Sequence, residues 1–196
     1  MYIAEHLVFQ HRLEYQSEFY EHVWVDVKIN SKTFAINALY RPPSESLIDH
    51  QHFLDTAEDI LGCLNNYDKA EYKIIASDLN FGNTFCKNPI LNPKPLDSTA
   101  PDLFESFGFH QIIDIPTRIA FGSISLIDLI FLNKSDDLIC HGTLPQIADH
   151  EGVLASFNLK SQKIKPNSRI IYDYMNADVE ADLEIIHAFL GAQANF

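Results

Sequence analysis

Alternating apolar and polar side chains mark the first part of the chain as β-structure. In the segment His22–Asn30, valine and isoleucine recur at every second position, which is the pattern of a strand with one buried face. Asn30-Ser31-Lys32 is typical of a turn, and Thr33–Tyr40 reads as a second strand. We therefore predict a hairpin that ends at Arg41-Pro42-Pro43, because proline cannot donate a hydrogen bond to a neighbouring strand.

Two helices and further strands are predicted beyond the hairpin. Apolar side chains in Leu47–Leu64 follow the helical period, and a shorter helix over Asp102–Phe107 ends at Gly108, a residue suited to the left-handed conformation. The other predicted strands are Tyr72–Ala76, Gln111–Ile113, Leu126–Leu132, Leu138–Leu144 and Gly152–Leu159. Because strands outnumber helices and polar motifs recur at strand ends, we expect an α+β or α/β sandwich with its site at strand-to-loop junctions.

The last 36 residues read differently from the rest. Ser161–Ser168 is polar and basic, like a linker, and Val179–Leu190 has the pattern of an amphipathic helix. We therefore predict one domain over residues 1–160, followed by a linker and a helix over residues 161–196.

Composition narrows the classes of function. The chain of 196 residues carries 14 Lys and Arg against 27 Asp and Glu, a net charge of −13, which disfavours a simple electrostatic DNA clamp. Three widely spaced cysteines argue against a disulfide framework or a zinc knuckle and fit a reducing, intracellular compartment. No apolar run approaches the roughly 18 residues of a membrane span, so we expect no membrane partner.

Four segments combine acidic, amide, hydroxyl or imidazole groups in or just after apolar strands. They are Tyr40-Arg41-Pro42-Pro43, Ser77-Asp78-Leu79-Asn80, Ser125–Phe131 and Ala148-Asp149-His150-Glu151. Each alone is weak, since Asp-x-Asn after a strand is more often a turn than a site. Asp128 is harder to explain in that way, because a carboxylate within an apolar strand must be paired or belong to a site.

The order and spacing of these segments, with Pro116-Thr117-Arg118 between them, resemble the endonuclease/exonuclease/phosphatase (DNase I-like) superfamily. The closest resemblance is to the apurinic/apyrimidinic-type endonuclease domain of non-LTR (LINE-like) retrotransposons, and it covers roughly residues 1–160. It implies an α+β fold in which a two-layer β-sandwich is flanked by helices. It also implies that residues 161–196 lead towards the reverse-transcriptase region of a parent polyprotein.

The resemblance implies a role for each residue of a catalytic group. Asp78 would orient or deprotonate the attacking water, and Asn80 would hold that water or a phosphate oxygen. His150 would bind the scissile phosphate, while Asp128 would accept the other ring N–H and so fix the imidazole and favour its charged form. Tyr40 would donate a hydrogen bond to the phosphate.

Further residues would complete the substrate and metal sites. Asp149 would lie near the metal or bind it through water, Thr117 and Ser125 would line the DNA groove, and Arg41 would contact a phosphate. Oxygen ligands without a cysteine cluster suit Mg²⁺ or Mn²⁺ better than zinc. The implied reaction is metal-assisted phosphodiester hydrolysis of DNA, and a working retroelement nuclease would act in the nucleus.

One departure from the family keeps three hypotheses open. Family members begin with a strand bearing an Asn and a strand ending in a Glu, which is the principal metal ligand. The first segment of this chain that matches the family is Met1-Tyr2-Ile3, which follows those two strands in the family. We therefore expect both strands to be absent from this chain. The chain is then a DNA endonuclease, a different phosphoesterase of the same fold, or a non-catalytic, decayed fragment that at most binds partners. The net charge of −13 favours the third.

Overall fold

The structure is a computed structural model that describes residues 1–15, 20–44, 46–67, 69–82, 84–85, 99–120 and 122–159. The linker and helix predicted over residues 161–196 lie outside this range. Strands dominate the described residues, as expected. The strands are β1 Val8–His11, β2 Glu21–Ile29, β3 Lys32–Tyr40, β4 Tyr72–Asp78, β5 His110–Gln111, β6 Arg118–Ala120, β7 Ser123–Ser125, β8 Asp128–Leu132, β9 Leu138–Ile147 and β10 His150–Phe157. The helices are α1 Leu47–Asn65 and α2 Thr99–Ser106, with a 3₁₀ turn at Leu13–Tyr15.

The strands form two sheets. The larger sheet has the order β1-β2-β3-β4-β8-β5, and the smaller one has the order β7-β6-β10-β9. The larger sheet is mixed, because β3 and β4 are parallel while its other neighbours are antiparallel. Helix α1 makes the crossover that this parallel pair requires. This architecture confirms the predicted sandwich of two sheets with helices.

Each face of the larger sheet is buried against a different layer. On one face, Trp24 and Leu39 belong to a core shared with Phe53 and Leu61 of α1. On the other face, Val25, Val27, Phe34 and Tyr72 form a second core, against which Phe157 of the smaller sheet packs. The rings of Phe34 and Tyr72 stack with centroids 4.5 Å apart, and Phe157 meets both edge-on. These contacts hold the two sheets together.

The predicted hairpin and the long helix are confirmed. β2 and β3 pair antiparallel along their whole length around Asn30, whose φ of 57° lies in the left-handed region. Helix α1 begins after Ser46, whose side chain accepts a hydrogen bond from the backbone N–H of Asp49 and so caps the helix. Gly108 has the left-handed φ of 76° expected of a residue that ends a helix.

Three short strands were not predicted. The four residues of β1 are all exposed, so they show no alternation of apolar and polar positions. Strands β6 and β7 have three residues each, none of them fully buried, which is too short a pattern to recognise. Helix α2 also begins at Thr99, three residues before the predicted start. No helix among the described residues is long and apolar enough to span a membrane.

Candidate active site

Four strand ends of the larger sheet lie in one row. Asp78, the last residue of β4, is paired with Tyr40 of β3 on one side and with Asp128 of β8 on the other. Tyr40 is in turn paired with Glu21, the first residue of β2. Because residues in register share a face and neighbouring strands are about 4.8 Å apart, these side chains line one edge of the sandwich.

The smaller sheet supplies an imidazole to the same edge. His150 is the first residue of β10, and its Nδ1 lies 2.9 Å from Oδ2 of Asp128. Ligand atoms of Asp78, Asp128 and His150 lie within 4.8 Å of one another. The structure therefore brings together residues that are 72 positions apart in sequence, and it shows the predicted contact between Asp128 and His150. We call these three residues the acid–imidazole cluster.

The carboxyl group of Asp78 is in an unusual environment. Burial raises its pKa above the ordinary value of 3.8, the negative charge of Asp128 raises it further, and His150 and hydrogen bonds from Asn80 act in the opposite direction. One oxygen, Oδ1, is buried and has no hydrogen-bond partner. A buried carboxylate oxygen without a partner is costly, so this atom is suited to receive a cation or a proton from a ligand.

Asn80 lies directly beside Asp78, in the turn that leaves β4. Its φ of 51° is left-handed, and its side-chain Nδ2 donates a hydrogen bond to the carbonyl oxygen of Arg41 over 3.0 Å. The structure thus places Asn80 next to the acid–imidazole cluster, as the sequence predicts. Its role towards water or phosphate stays a prediction.

Tyr40 opens onto a cleft beside the cluster. Its side chain is 37% exposed, and together with Asp78 and Asp128 it lines a cleft of about 650 Å³. Glu21 and His22 also line this cleft. The sequence did not single out these two residues. The three-residue turn predicted at Asn30-Ser31-Lys32 would align Tyr40 with His22, whereas the observed hairpin pairs Ile29 with Lys32 and so aligns Tyr40 with Glu21.

Asp149 is near His150 but is engaged elsewhere. Its Oδ2 accepts a hydrogen bond from Nε of Arg118 over 2.8 Å, and this bond lowers the pKa of the Asp149 carboxyl. It is not part of the acid–imidazole cluster, which is the group of possible metal ligands that stands out among the described residues. The partner Arg118 had no predicted role, although it belongs to the Pro-Thr-Arg motif.

Thr117 does not lie on a DNA-facing surface, contrary to expectation. It is fully buried, and its Oγ1 accepts hydrogen bonds from the backbone N–H groups of Ile127 and Asp128 over 3.2 and 2.9 Å. Its carbonyl oxygen accepts a bond from the N–H of Glu151 over 2.6 Å. Because Asp128 and Glu151 belong to different sheets, Thr117 ties the two halves of the site together. Ser125 is partly exposed, and its contact with DNA stays a prediction.

Arg41 is also buried, with 3% of its surface exposed. Its Nη1 donates to the carbonyl oxygen of Leu79 over 3.1 Å, and its guanidinium lies 4.2 Å from the ring centroid of Phe81. In this position the side chain does not reach solvent. The structure therefore gives no support to direct contact between Arg41 and a phosphate.

A mixed sheet and an antiparallel sheet, with acidic and imidazole groups converging at one rim, are the DNase I-like architecture, and the chain has the fold of the endonuclease/exonuclease/phosphatase superfamily. The endonuclease domain of TRAS1, a telomere-specific non-LTR retrotransposon, is similar with a TM-score of 0.65 and 15% identity. The similarity covers 81% of this chain and 72% of that one. No family model and no curated protein matches the sequence.

Two further solved structures share the fold. An AP endonuclease from Archaeoglobus fulgidus has a TM-score of 0.52 at 15% identity, covering 69% of this chain and 65% of that one. Beta toxin from Staphylococcus aureus has a TM-score of 0.52 at 14% identity, covering 70% and 57%. The chain thus spans less than two thirds of the length of these two proteins. At such low identity, the similarities establish the fold and leave the activity to be argued from the site.

Proposed function

We propose that this chain hydrolyses phosphodiester bonds in DNA as an endonuclease that depends on a divalent cation. The observation that carries the proposal is the acid–imidazole cluster, in which a half-buried Asp78, the Asp128–His150 pair and a cleft of about 650 Å³ meet. Clusters of carboxylates and imidazole with perturbed pKa values, set in a cleft, are typical of catalytic sites.

His150 is suited to bind the phosphate. A carboxylate can only accept hydrogen bonds, so the contact with Asp128 puts a proton on Nδ1 of His150. The Nε2 atom is then the one available to a substrate oxygen. With a proton on Nε2 as well, His150 would donate a hydrogen bond to the phosphate and stabilise negative charge that develops on it.

Asp78 is suited to act on the attacking water. Its raised pKa makes it a better base than an ordinary aspartate. Asn80 lies next to it, and Tyr40 presents its hydroxyl on the same edge of the sheet. We assign the water to Asp78 and Asn80, and we assign Tyr40 to the phosphate as a hydrogen-bond donor.

The residues present fit a hard divalent cation. The unpartnered Oδ1 of Asp78 and the nearby carboxylate of Asp128 are oxygen donors of the kind that Mg²⁺ and Mn²⁺ prefer. When bound, the cation would neutralise the phosphate and stabilise the leaving oxygen. Asp149 could join these ligands once it leaves Arg118.

The finer proposal is an endonuclease of the non-LTR retrotransposon type. The order of the motifs in the sequence supports it, and so does the likeness to the TRAS1 endonuclease domain. In this proposal residues 161–196 lead towards a reverse-transcriptase domain of the same polyprotein, and DNA is the substrate.

Nicking of supercoiled plasmid DNA by the purified chain tests the proposal. We expect conversion to the open circle with Mg²⁺ or Mn²⁺, no conversion in EDTA, and loss of nicking in His150→Ala. Nicking that persists in His150→Ala would refute the assigned roles. Release of phosphate from inositol phosphates without nicking would identify a different phosphoesterase of the same fold.

The second candidate is a non-catalytic chain. The net charge of −13 opposes DNA binding, and Asp149 is held by Arg118 rather than turned towards the cluster. Intact plasmid at all metal concentrations, with no activity on inositol phosphates, would favour this candidate over both enzymes.

A further inference from the structure

Arg41 makes several contacts with the segment Asp78–Phe81 that leaves β4. Its backbone N–H donates to the carbonyl oxygen of Asp78 over 2.9 Å, and its Nη1 donates to the carbonyl oxygens of Leu79 and Asn80 over 3.1 and 3.4 Å. In return, Nδ2 of Asn80 donates to the carbonyl oxygen of Arg41 over 3.0 Å. Both main chain and side chain of Arg41 are therefore bound to the turn that carries Asp78 and Asn80.

This turn needs external support. Asn80 has a φ of 51°, a conformation that non-glycine residues adopt less readily than the right-handed one. The carbonyl oxygens of the turn face the protein, where each must find a donor. A planar guanidinium can donate to two neighbouring carbonyl oxygens at once, and its flat face packs 4.2 Å from the ring centroid of Phe81.

We propose that Arg41 is a positioning residue, which sets the orientation of Asp78 and Asn80 for the hydrolysis proposed above. It would act through these two residues and would not contact the phosphate. The inference rests on the proposed function for its catalytic consequence, whereas its structural part, the placement of Asn80, can be measured without any substrate.

Positioning and phosphate binding predict different kinetics. A residue that orients the groups acting on water lowers kcat when it is lost and leaves KM unchanged. A phosphate contact instead raises KM when lost and reduces the slope of affinity against salt by about one ion. A lysine at position 41 could still contact a phosphate through its single charge. It could not donate to two carbonyl oxygens at once as the planar guanidinium of Arg41 does, so Arg41→Lys separates the two roles.

The test compares Arg41→Lys, Arg41→Met and the control Lys28→Met in the full chain. Lys28 is an exposed cation at the opposite end of β2 from the cleft, so its loss changes the net charge equally without touching the turn. Plasmid nicking is measured against DNA and salt concentration. The side-chain amide resonance of Asn80 is recorded by ¹⁵N-¹H correlation spectra without metal or DNA, and thermal unfolding verifies that each variant is folded.

We expect kcat to fall at least tenfold in Arg41→Met and less in Arg41→Lys, with KM and salt slope as in wild type and in Lys28→Met. The Asn80 side-chain resonance should move in Arg41→Met and stay unchanged in Lys28→Met. An unmoved Asn80 resonance, or a raised KM with unchanged kcat, would overturn the inference. If Arg41→Met fails to fold, the Asn80 resonance and the kcat and KM of Arg41→Lys test the inference in its place. A wild-type chain that cleaves no DNA would refute the proposed function instead, and the Asn80 spectra would still decide whether Arg41 positions the turn.

Discussion

Carboxyl groups at the two ends of strand β4 have opposite environments and opposite pKa shifts. At the end where β4 begins, Asp137 accepts hydrogen bonds from Lys32 and from the hydroxyl of Tyr72, and Glu71 pairs with Lys134 over 2.7 Å. These partners lower the pKa values of the Asp137 and Glu71 carboxyls. We call this group the lysine-paired end.

At the other end, Asp78 faces a second carboxylate and no lysine in the described part of the chain. Burial and Asp128 raise the pKa of the Asp78 carboxyl, and one of its oxygens has no partner. The same residue type thus stabilises the fold at one end of a seven-residue strand and opposes it at the other. A half-buried carboxyl group with a raised pKa and one unpartnered oxygen is typical of a functional site, so this difference supports the function proposed above.

The largest expected effect comes from neutralising one aspartate at each end. We expect Asp78→Asn to lower the rate of plasmid nicking by at least ~100-fold, since it removes the group assigned to the water. Asp137→Asn should nick at the wild-type rate, because Asp137 lies at the lysine-paired end. Initial rates at saturating Mg²⁺ measure both, and equal losses in the two variants would show that the cluster has no special role.

The next largest effect is on stability and concerns Thr117, which connects the two sheets beside the acid–imidazole cluster. Thr117→Val keeps nearly the same shape but leaves the N–H groups of Ile127 and Asp128 without an acceptor, which we expect to cost about 2 kcal/mol of unfolding free energy. Thr117→Ser retains the hydroxyl and serves as the control, so it should be the more stable of the two. Urea unfolding measures the difference, and a valine variant as stable as the serine variant would contradict the prediction.

The smallest expected effect is on the melting temperature at neutral pH, which Asp78→Asn should raise and Asp137→Asn should lower. The folded-state pKa of Asp78 is raised, so its charge opposes folding above that pKa, and Asp78→Asn should raise the melting temperature at pH 7 in EDTA. This gain should shrink as the pH falls through the raised pKa, where wild-type Asp78 also becomes neutral.

Asp137→Asn is expected to behave in the opposite way. The folded-state pKa of Asp137 is lowered, so its contribution to stability exists above the unfolded pKa and is lost as the pH falls through the folded one. The variant should therefore melt below wild type at pH 7 and approach it in acid. Melting curves from pH 7 to pH 3 test both aspartates together. Shifts of the same sign in the two variants would contradict the claim that the two carboxyl groups act on stability in opposite directions.

The sequence predicted the parts of the site that follow from strand periodicity. Asp78 was predicted to follow a short apolar strand and Asp128 to lie within another, whereas the structure has Asp78 as the last residue of β4 and Asp128 as the first residue of β8. The hairpin of β2 and β3 and the helix α1 were predictable for the same reason. These patterns are strong because each spans many residues with one buried face.

The rest of the site depends on contacts that one sequence cannot show. The family resemblance assigned Arg41 and Thr117 to the substrate, and yet tertiary packing buries both. The pair of Arg118 and Asp149 joins residues 31 positions apart, one in β6 and the other in the turn between β9 and β10. Burial of a polar side chain is decided by neighbours from other elements, which local periodicity does not encode.

The tight turn between β9 and β10 sets a limit on how this molecule can tolerate changes in length. Only Ala148 and Asp149 separate the two strands, and Ala148 has a left-handed φ of 59°. His150 is the first paired residue after them, so a change in turn length that shifted the register of β10 by one residue would move its imidazole to the opposite face of the sheet, away from Asp128. Most surface loops accept insertions during evolution, whereas we expect this turn to tolerate neither an insertion nor a deletion.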